Sequence, residues 1–274
     1  MTILITGGNG YIARNLTRLL SMKGFNILSP SHSELDICNL QNLRHYLSKH
    51  KIECIIHTAT KGGKRNVPDT YEDFVSNITM FENIVEVADE NIKIISFGSG
   101  AEFDRRKNIC LARTSDIFES WPIDPYGLSK NIISRRSTIN MWVLRLFGCF
   151  NYDENDSRFI KNSILRVKEG LPIEIHQNRK MDFFFLDDII PVIKAILSNE
   201  NIARHINLVY NTKYSLSSIA NLIHTHMGTD HDQVNIIHKE LGNDYTGDDW
   251  AMKTLQLPLI GFEEGLIRTI NILK

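Results

Sequence analysis

The chain opens on an apolar run at residues 2–5 that stops at a cluster of glycines. Apolar residues then recur at Ile12, Leu16, Leu19 and Leu20, the spacing of one helical face, and the pattern closes at Gly24. Phe25-Asn-Ile-Leu28 reads as a second strand. A helix over about 40–49 leads to a third strand, Cys54-Ile-Ile-His57. The pattern then predicts a long helix over about 73–91, a strand over 93–97, a helix over about 125–139 and a strand over 141–146. Short apolar strands alternating with amphipathic helices predict an α/β fold with a doubly wound parallel sheet.

After Phe150 the rhythm changes. Residues 151–157 are polar and read as a loop, with a helix following over 158–170. Residues 182–185 lead into a helix from Asp187 to about Ser198, and 206–210 form a late strand. A helix over 215–227, capped by Ser215 or Ser217, and a terminal helix over 261–273 complete the pattern. We expect a larger domain from 1–150 and 182–212, and a smaller C-terminal lobe from 151–181 and 213–274.

The first glycine cluster reads Thr6-Gly7-Gly8-Asn9-Gly10-Tyr11-Ile12-Ala13. Gly7 permits a tight turn, Gly10 lets the backbone approach a pyrophosphate, and Ala13 allows close helix–strand packing. The helix that starts at Tyr11 and Ile12 offers N–H groups and a positive dipole end. Between a strand and a helix, this is the dinucleotide fingerprint of a Rossmann-type domain. An acid normally ends the second strand and binds the ribose 2′-hydroxyl. Here that stretch is Ser29-Pro30-Ser31-His32-Ser33, and the first carboxylate is Glu34. Ser31 and His32 can donate to a 2′-phosphate, so NADP (NADPH) is the expected cofactor, with NAD the alternative. Asp36 and Ile37 are candidate adenine contacts, although Asp36 reads equally as a helix cap.

Tyr126-Gly-Leu-Ser-Lys130 places a phenol and an ammonium at i and i+4 on one helix face, entered through Pro125. A free tyrosine titrates at about 10. A neighbouring ammonium and an oxidised nicotinamide favour the phenolate and bring it toward working range. Ser99, at a strand end in Ser96-Phe-Gly-Ser-Gly-Ala-Glu-Phe103, can hydrogen-bond a substrate oxygen.

Bulk properties narrow the class. The 274 residues carry a formal charge of -1, so no global field favours nucleic acid. The Arg105-Arg106-Lys107 run reads as a solvated loop. No apolar run approaches the roughly 18 residues of a membrane span, and the first residues read as a strand rather than a signal peptide. The four cysteines, Cys38, Cys54, Cys110 and Cys149, lack metal or redox spacing. A cytoplasmic protein without a metal is expected.

Several segments together resemble the extended short-chain dehydrogenase/reductase family of nucleotide-sugar enzymes. They are Ser99/Tyr126/Lys130, His57-Thr58-Ala59-Thr60, Asn77 in a long helix, and Phe183-Phe-Phe-Leu-Asp-Asp188. Ala59-Thr-Lys-Gly-Gly63 and Thr70-Tyr-Glu-Asp-Phe-Val-Ser-Asn77 are similar to its GDP-fucose synthase branch, and Glu34-Leu-Asp-Ile37 to its dTDP-4-dehydrorhamnose reductase branch. The resemblance implies a Rossmann domain and a C-terminal lobe gripping a nucleotide sugar. It implies cofactor contacts at Gly7, Gly10, Tyr11, Ile12, Thr58, Ala59, Thr60, Asn77, Tyr126 and Lys130. It implies substrate contacts at Lys61, Ser99, Gly100 and Ala101. It also implies a homodimer through the helices near 73–91 and 125–139.

The departures from the family carry information. Dehydratases of the family have Asp-Glu directly after the catalytic hydroxyl residue, where this chain has Gly100-Ala101. The epimerising cysteine of the fucose synthases falls at Ala101, and its partner histidine near Lys168. The family's Arg-x-x-Asn-x-Tyr-Gly is Arg145-Leu-Phe-Gly148-Cys-Phe-Asn151, and the Arg of Arg-Asp-Phe is Met181. Arg158, Arg179 or Lys180 is then expected on the diphosphate. The implied activity is NADPH-dependent reduction of the C4 keto group of a nucleotide-linked (6-deoxy)hexose for surface polysaccharide such as lipopolysaccharide or capsule. In it Tyr126 gives the proton, Lys130 lowers its pKa and holds the ribose, and Ser99 polarises the carbonyl. A nucleotide-sugar 4-epimerase and a non-catalytic NADP-binding regulator are the alternatives.

Overall fold

The computed structural model describes residues 1–64, 67–230 and 233–274. In chain order its first elements are β1 (Thr2–Thr6), α1 (Tyr11–Ser21), β2 (Asn26–Leu28), α2 (Leu40–Lys49), β3 (Cys54–His57), α3 (Tyr71–Val87) and β4 (Lys93–Ser99). Then come β5 (Ile109–Ala112), α4 (Pro125–Arg135), β6 (Met141–Leu146), β7 (Cys149–Phe150), α5 (Phe159–Lys168), β8 (Ile173–Gln177) and β9 (Phe184–Phe185). The last are α6 (Ile189–Ser198), β10 (His205–Leu208), α7 (Leu216–Met227), β11 (Val234–His238), β12 (Tyr245–Gly247), α8 (Trp250–Leu255) and α9 (Phe262–Leu273).

The expected fold class holds: a central parallel sheet of six strands runs in the order β10-β6-β4-β3-β1-β2. Its register explains its core. Leu4 pairs with Ile55, and Ile55 with Ile94, so these side chains form one row across the sheet. That row is sealed by Leu43 of α2, Phe81 and Ile84 of α3, and Ile133 of α4. Each fully buried aliphatic side chain of this kind contributes about 1.5–3 kcal/mol.

Two helices stop earlier than the apolar pattern predicts, because short polar side chains close local turns. α3 ends at Val87 rather than 91, and the Asp89 carboxylate accepts from Asn91 N at 2.8 Å. α4 ends at Arg135 rather than 139, and the Thr138 hydroxyl donates to Asn140 Oδ1 at 2.6 Å. α2 is capped by Asn39, which accepts from Gln41 N and Asn42 N; Asp36 instead accepts from Cys38 N.

The chain forms two compact units. The first is Met1–Asp104, Thr114–Arg145 and Ile190–Ile206, and the second is Arg105–Arg113, Leu146–Ile189 and Asn207–Lys274. Segments 105–113, 146–150, 182–189 and 207–212, which the sequence grouped with the larger domain, thus fall in the second unit. Backbone pairing involves three of these: β5 of 105–113 pairs with β12, and β7 of 146–150 pairs with β9 of 182–189. β8 pairs with β11 in parallel. The core of this unit gathers Ile160 and Ile164 of α5, Ile173 and Ile175 of β8, Ile219 and Ile223 of α7, and Leu266 of α9. No helix among the described residues is long and apolar enough to cross a membrane.

Candidate active site

The residues singled out for a cofactor, apart from its distant ends, converge at the C-terminal ends of β1, β3 and β4 in the first unit. β1 leaves through Gly7, whose φ of 72° suits glycine. Gly10 N closes the turn on Gly7 O at 2.7 Å, and Gly8 N donates to Pro30 O at 3.1 Å. A Cβ on Gly8 would stand 2.3 Å from Ser29 O, so the cradle is built for a bare backbone. No side chain caps α1 at Gly10, which leaves that helix end to a ligand's anion. A Cβ-free cradle facing an uncapped helix terminus fits a dinucleotide pyrophosphate.

Thr6 ties this cradle to the next loop. Its hydroxyl accepts from Thr58 N and Ala59 N, both at 3.2 Å, and lies 3.0 Å from His57 Nδ1. The Thr58 hydroxyl donates to Thr6 O at 2.6 Å. Burial and then the Lys130 charge hold His57 down at about 3, so its ring is neutral. Asn77 is buried and makes a two-way bond to the Lys61 peptide, accepting from its N–H at 2.8 Å and donating to its carbonyl at 3.0 Å. It also donates to Ser129 Oγ at 3.1 Å, which in turn donates to Tyr126 O. Asn77 is therefore a strut between the loop at 60–63 and α4.

The adenosine end of the expected site shows one feature that spacing did not reveal. Glu34 folds back, and its Oε2 accepts from both Ser31 N and Ser31 Oγ at 2.7 Å. These two bonds hold its carboxyl below the usual carboxylate range. His32 is exposed, 3.8 Å from Asp36. Ile37 is buried in the core of the first unit, so only its backbone can meet an adenine.

Tyr126 and Lys130 share one face of α4, with Lys130 Nζ 5.9 Å from the centre of the Tyr126 ring. Asp124 caps the helix by accepting from Gly127 N at 2.7 Å. A Cβ on Gly127 would meet Ala101 O at 2.6 Å, so glycine lets α4 approach the 3-10 turn Gly100–Phe103. A Cβ on Gly63 would stand 2.9 Å from Tyr126 Cζ, so this glycine lies against the phenol. Lys130 is buried and donates to Phe97 O at 2.9 Å. Burial lowers Lys130 to about 8, with Glu102 pushing the other way. Ser99 ends β4, and its Oγ accepts from Ala101 N at 3.2 Å, which aims its own proton elsewhere. The first unit thus carries a hydroxyl at the end of β4, and a phenol with a neighbouring ammonium on α4.

Sequence reading missed Glu102. Its Oε1 accepts from Ser99 N at 2.8 Å, and its Oε2 pairs with Arg145 at 2.7 Å, both side chains fully buried. The signal was present: Ser99-Gly-Ala-Glu102 is a capping-box spacing.

Arg158, Arg179 and Lys180 are exposed residues of the second unit. Arg158 sits at the start of α5 without capping it. Lys180 N donates to Asp244 Oδ1 at 3.0 Å. Met181 packs against the apolar cluster of this unit, a place unsuited to the family's arginine. A Cβ on Gly148 would meet Asp182 O at 2.8 Å, which leaves no room for the family's asparagine. Asp188 accepts from Ile260 N, Gly261 N and the Tyr210 hydroxyl.

The sequence model described as the NAD dependent epimerase/dehydratase family matches residues 3–209. Over 251 residues the chain is 24% identical to a GDP-L-colitose synthase of Yersinia pseudotuberculosis, covering 81% of each. Over 235 residues it is 23% identical to a GDP-6-deoxy-D-talose 4-dehydrogenase of Aggregatibacter actinomycetemcomitans, covering 81% of this chain and 79% of that one. Among solved structures, it is similar to an NADP-bound GDP-mannoheptose C4 reductase from Campylobacter jejuni. That TM-score is 0.83 at 18% identity, covering 99% of this chain and 98% of the other.

Proposed function

Because the chain belongs to the NAD dependent epimerase/dehydratase family, we propose that it reduces the C4 keto group of a GDP-linked (6-deoxy) sugar with NADPH. Its cofactor class is a nicotinamide dinucleotide. The observation that carries the reading is the Tyr126–Lys130 face of α4 beside Ser99, with Gly100-Ala101 where relatives place extra acid–base groups. A dinucleotide held by the backbone of Gly7–Gly10 and the start of α1 would supply the hydride for the carbonyl carbon. Ser99 donates a hydrogen bond to the carbonyl oxygen, and Tyr126 gives that oxygen its proton. Lys130, held by Phe97 O, stabilises the resulting phenolate.

GDP is favoured by the GDP-linked sugars that give the relatives above their names. NADPH is favoured over NADH because residues 29–33 carry no carboxylate; the Ser31 N–H and hydroxyl, expected on a 2′-phosphate, both donate to Glu34 instead, which leaves the exposed His32 as the donor offered there. Arg158, Arg179 and Lys180 are the cations offered for the diphosphate. Exposed Tyr71 and Val75 on α3 support a homodimer, and a cytoplasmic location is part of the same proposal.

The test is NADPH oxidation against GDP-, dTDP-, CDP- and UDP-linked 4-keto-6-deoxyhexoses, with product stereochemistry by NMR. Stoichiometric NADPH consumption with a GDP sugar is expected. Interconversion of C4 epimers without net consumption would favour a 4-epimerase, and tight NADP binding with no turnover on any sugar would favour a regulator.

A further inference from the structure

The triplet Lys61-Gly62-Gly63, in the loop after β3, is tied down at both ends. At the first end Asn77 of α3 accepts from Lys61 N at 2.8 Å and donates to Lys61 O at 3.0 Å. At the other end the Asp69 carboxylate accepts from Gly63 N at 2.6 Å. Asp69 immediately precedes Thr70, which caps α3 in a reciprocal capping box with Asp73, so its backbone is anchored to a helix start. Between the two ties, Gly62 and Gly63 have φ of 77° and 67°. Two consecutive left-handed glycines constrain themselves less than any other pair of residues. The place of Gly63 is therefore set by what its N–H is bonded to, and a short bond from a peptide N–H to a carboxylate is among the stronger ties a loop can have.

The space that a Cβ on Gly63 would need shows what this tie holds in place. That point lies 2.9, 3.0 and 3.1 Å from Tyr126 Cζ, Cε2 and Cε1. Near-equal distances to three atoms of one ring put it over the face of the ring, close to its centre. Gly63 thus closes one face of the phenol, and a side chain at this position would drive the ring away. α4 fixes the Tyr126 backbone, with the Tyr126 carbonyl accepting from Ser129 Oγ at 2.8 Å. The swing of the ring about its side-chain bonds is settled by what the ring touches. A misplacement of about 1 Å at a reacting group is enough to cost about 10²-fold in rate.

We propose that Asp69 is a positioning residue of this site: by holding the Gly63 N–H it seats the glycine on the Tyr126 ring and fixes the phenol from which the proton is delivered. The proposal rests on the reading of Tyr126 as the proton donor.

Two readouts test it, and the first needs no sugar. An aromatic ring shields protons that lie over its face. The Gly63 α-proton resonance, followed by NMR in glycine-labelled protein, is therefore expected upfield of its position in Tyr126→Leu. Asp69→Ala should move it to the Tyr126→Leu position. Asp69→Asn, whose amide oxygen can still accept the N–H, should keep it upfield. If Asp69→Ala does not fold, Gly62→Ala takes its place, because a Cβ there stands 2.7 Å from Asp69 Oδ1 and dislodges the same carboxylate. The second readout is NADPH oxidation with the GDP-linked 4-keto sugar. In Asp69→Ala kcat is expected to fall about ten- to hundredfold, with NADPH Kd and sugar KM unchanged, and to recover in Asp69→Asn. Added to Tyr126→Phe, Asp69→Ala should cause no further loss. A resonance that stays upfield in Asp69→Ala overturns the proposal. So does a released resonance with undiminished kcat. So does a loss that persists in the Tyr126→Phe background, since the carboxylate would then act through the loop and not through the phenol. Normal turnover by Tyr126→Phe, or no reduction of any sugar, ends the underlying reading and the role of Asp69 with it, and is told apart by a resonance that still behaves as expected.

Discussion

At the scale of single residues, Tyr126 is the clearest test. Its ring packs against Gly63, and that contact does not involve the hydroxyl proton. Tyr126→Phe should therefore fold and bind NADPH nearly as before, while turnover drops by about 10²–10⁴-fold, the usual worth of general acid catalysis. Near-normal turnover removes Tyr126 from the mechanism. The pH profile gives a second test. Burial brings Lys130 down to about 8, so the ammonium is lost as pH rises through that value. The proposed reduction also consumes the Tyr126 proton, so both groups act in the same direction. We expect kcat/KM to be flat below about pH 8 and to fall above it; a rate still rising at pH 9 would contradict this assignment.

At the scale of elements, the cradle and the loop at 151–157 each make a prediction. A Cβ at Gly8 collides with two backbone carbonyls, Ser29 O and Pro30 O, neither of which is a flexible side-chain end. Gly8→Ala should push the turn off β2 and weaken NADPH binding at least tenfold, read by nucleotide fluorescence titration. Glu154, in the second unit, is buried and pushed up to about 8, chiefly by desolvation, against the Lys161 N–H bond and the charges of Arg158 and Lys161. An unfolded glutamate titrates at about 4.3. Between these values the folded chain keeps a proton that the unfolded chain has lost, so stability falls as pH rises across the window. Glu154→Gln should raise Tm at pH 8 by on the order of 5 °C and make little difference at pH 4.5. Equal melting at pH 8 would mean that Glu154 is not carrying that cost.

The same scale shows what the sequence could and could not reveal. β1, β3, β4 and β6 were legible because each is a continuous apolar run covered on both faces. β8 and β11 were not, because each is short, half-exposed and defined by a partner some 60 residues away. The strut of Asn77, the Thr6 tie and the Glu34 turn were likewise invisible, since they depend on side chains meeting across distant loops. Glu102 is different. Its capping spacing was on view, but its pairing with Arg145 exists only once β4 and β6 lie in one sheet.

At the scale of the whole molecule, the question is which reactions the chain lacks the groups to perform. The proposed reduction calls on a hydride, Tyr126, Lys130 and Ser99. Shifting the configuration at C3 or C5 needs more: a base to take a carbon-bound proton and an acid to return one. The residues after Ser99 are Gly100 and Ala101, both buried and without titratable side chains. Lys168, where relatives place a histidine, donates its ammonium to Leu273 O at 2.8 Å at the end of α9. Gly100 and Ala101 offer no acid–base group, and the Lys168 amine is engaged at Leu273 O. A product formed with NADPH in deuterated water should therefore carry no solvent deuterium at C3 or C5 beyond the uncatalysed background, measured by NMR of the isolated nucleotide sugar. Enzyme-dependent deuterium at either carbon would end the simple-reductase reading. The search for the missing pair would then begin in the second unit. There Asp182 is pushed up to about 6, mainly by burial, while Lys213 holds both its oxygens at 3.0 and 2.8 Å. That value includes the raising effect of Asp249, and Asp182 is a carboxyl to test there as the acceptor of a carbon-bound proton.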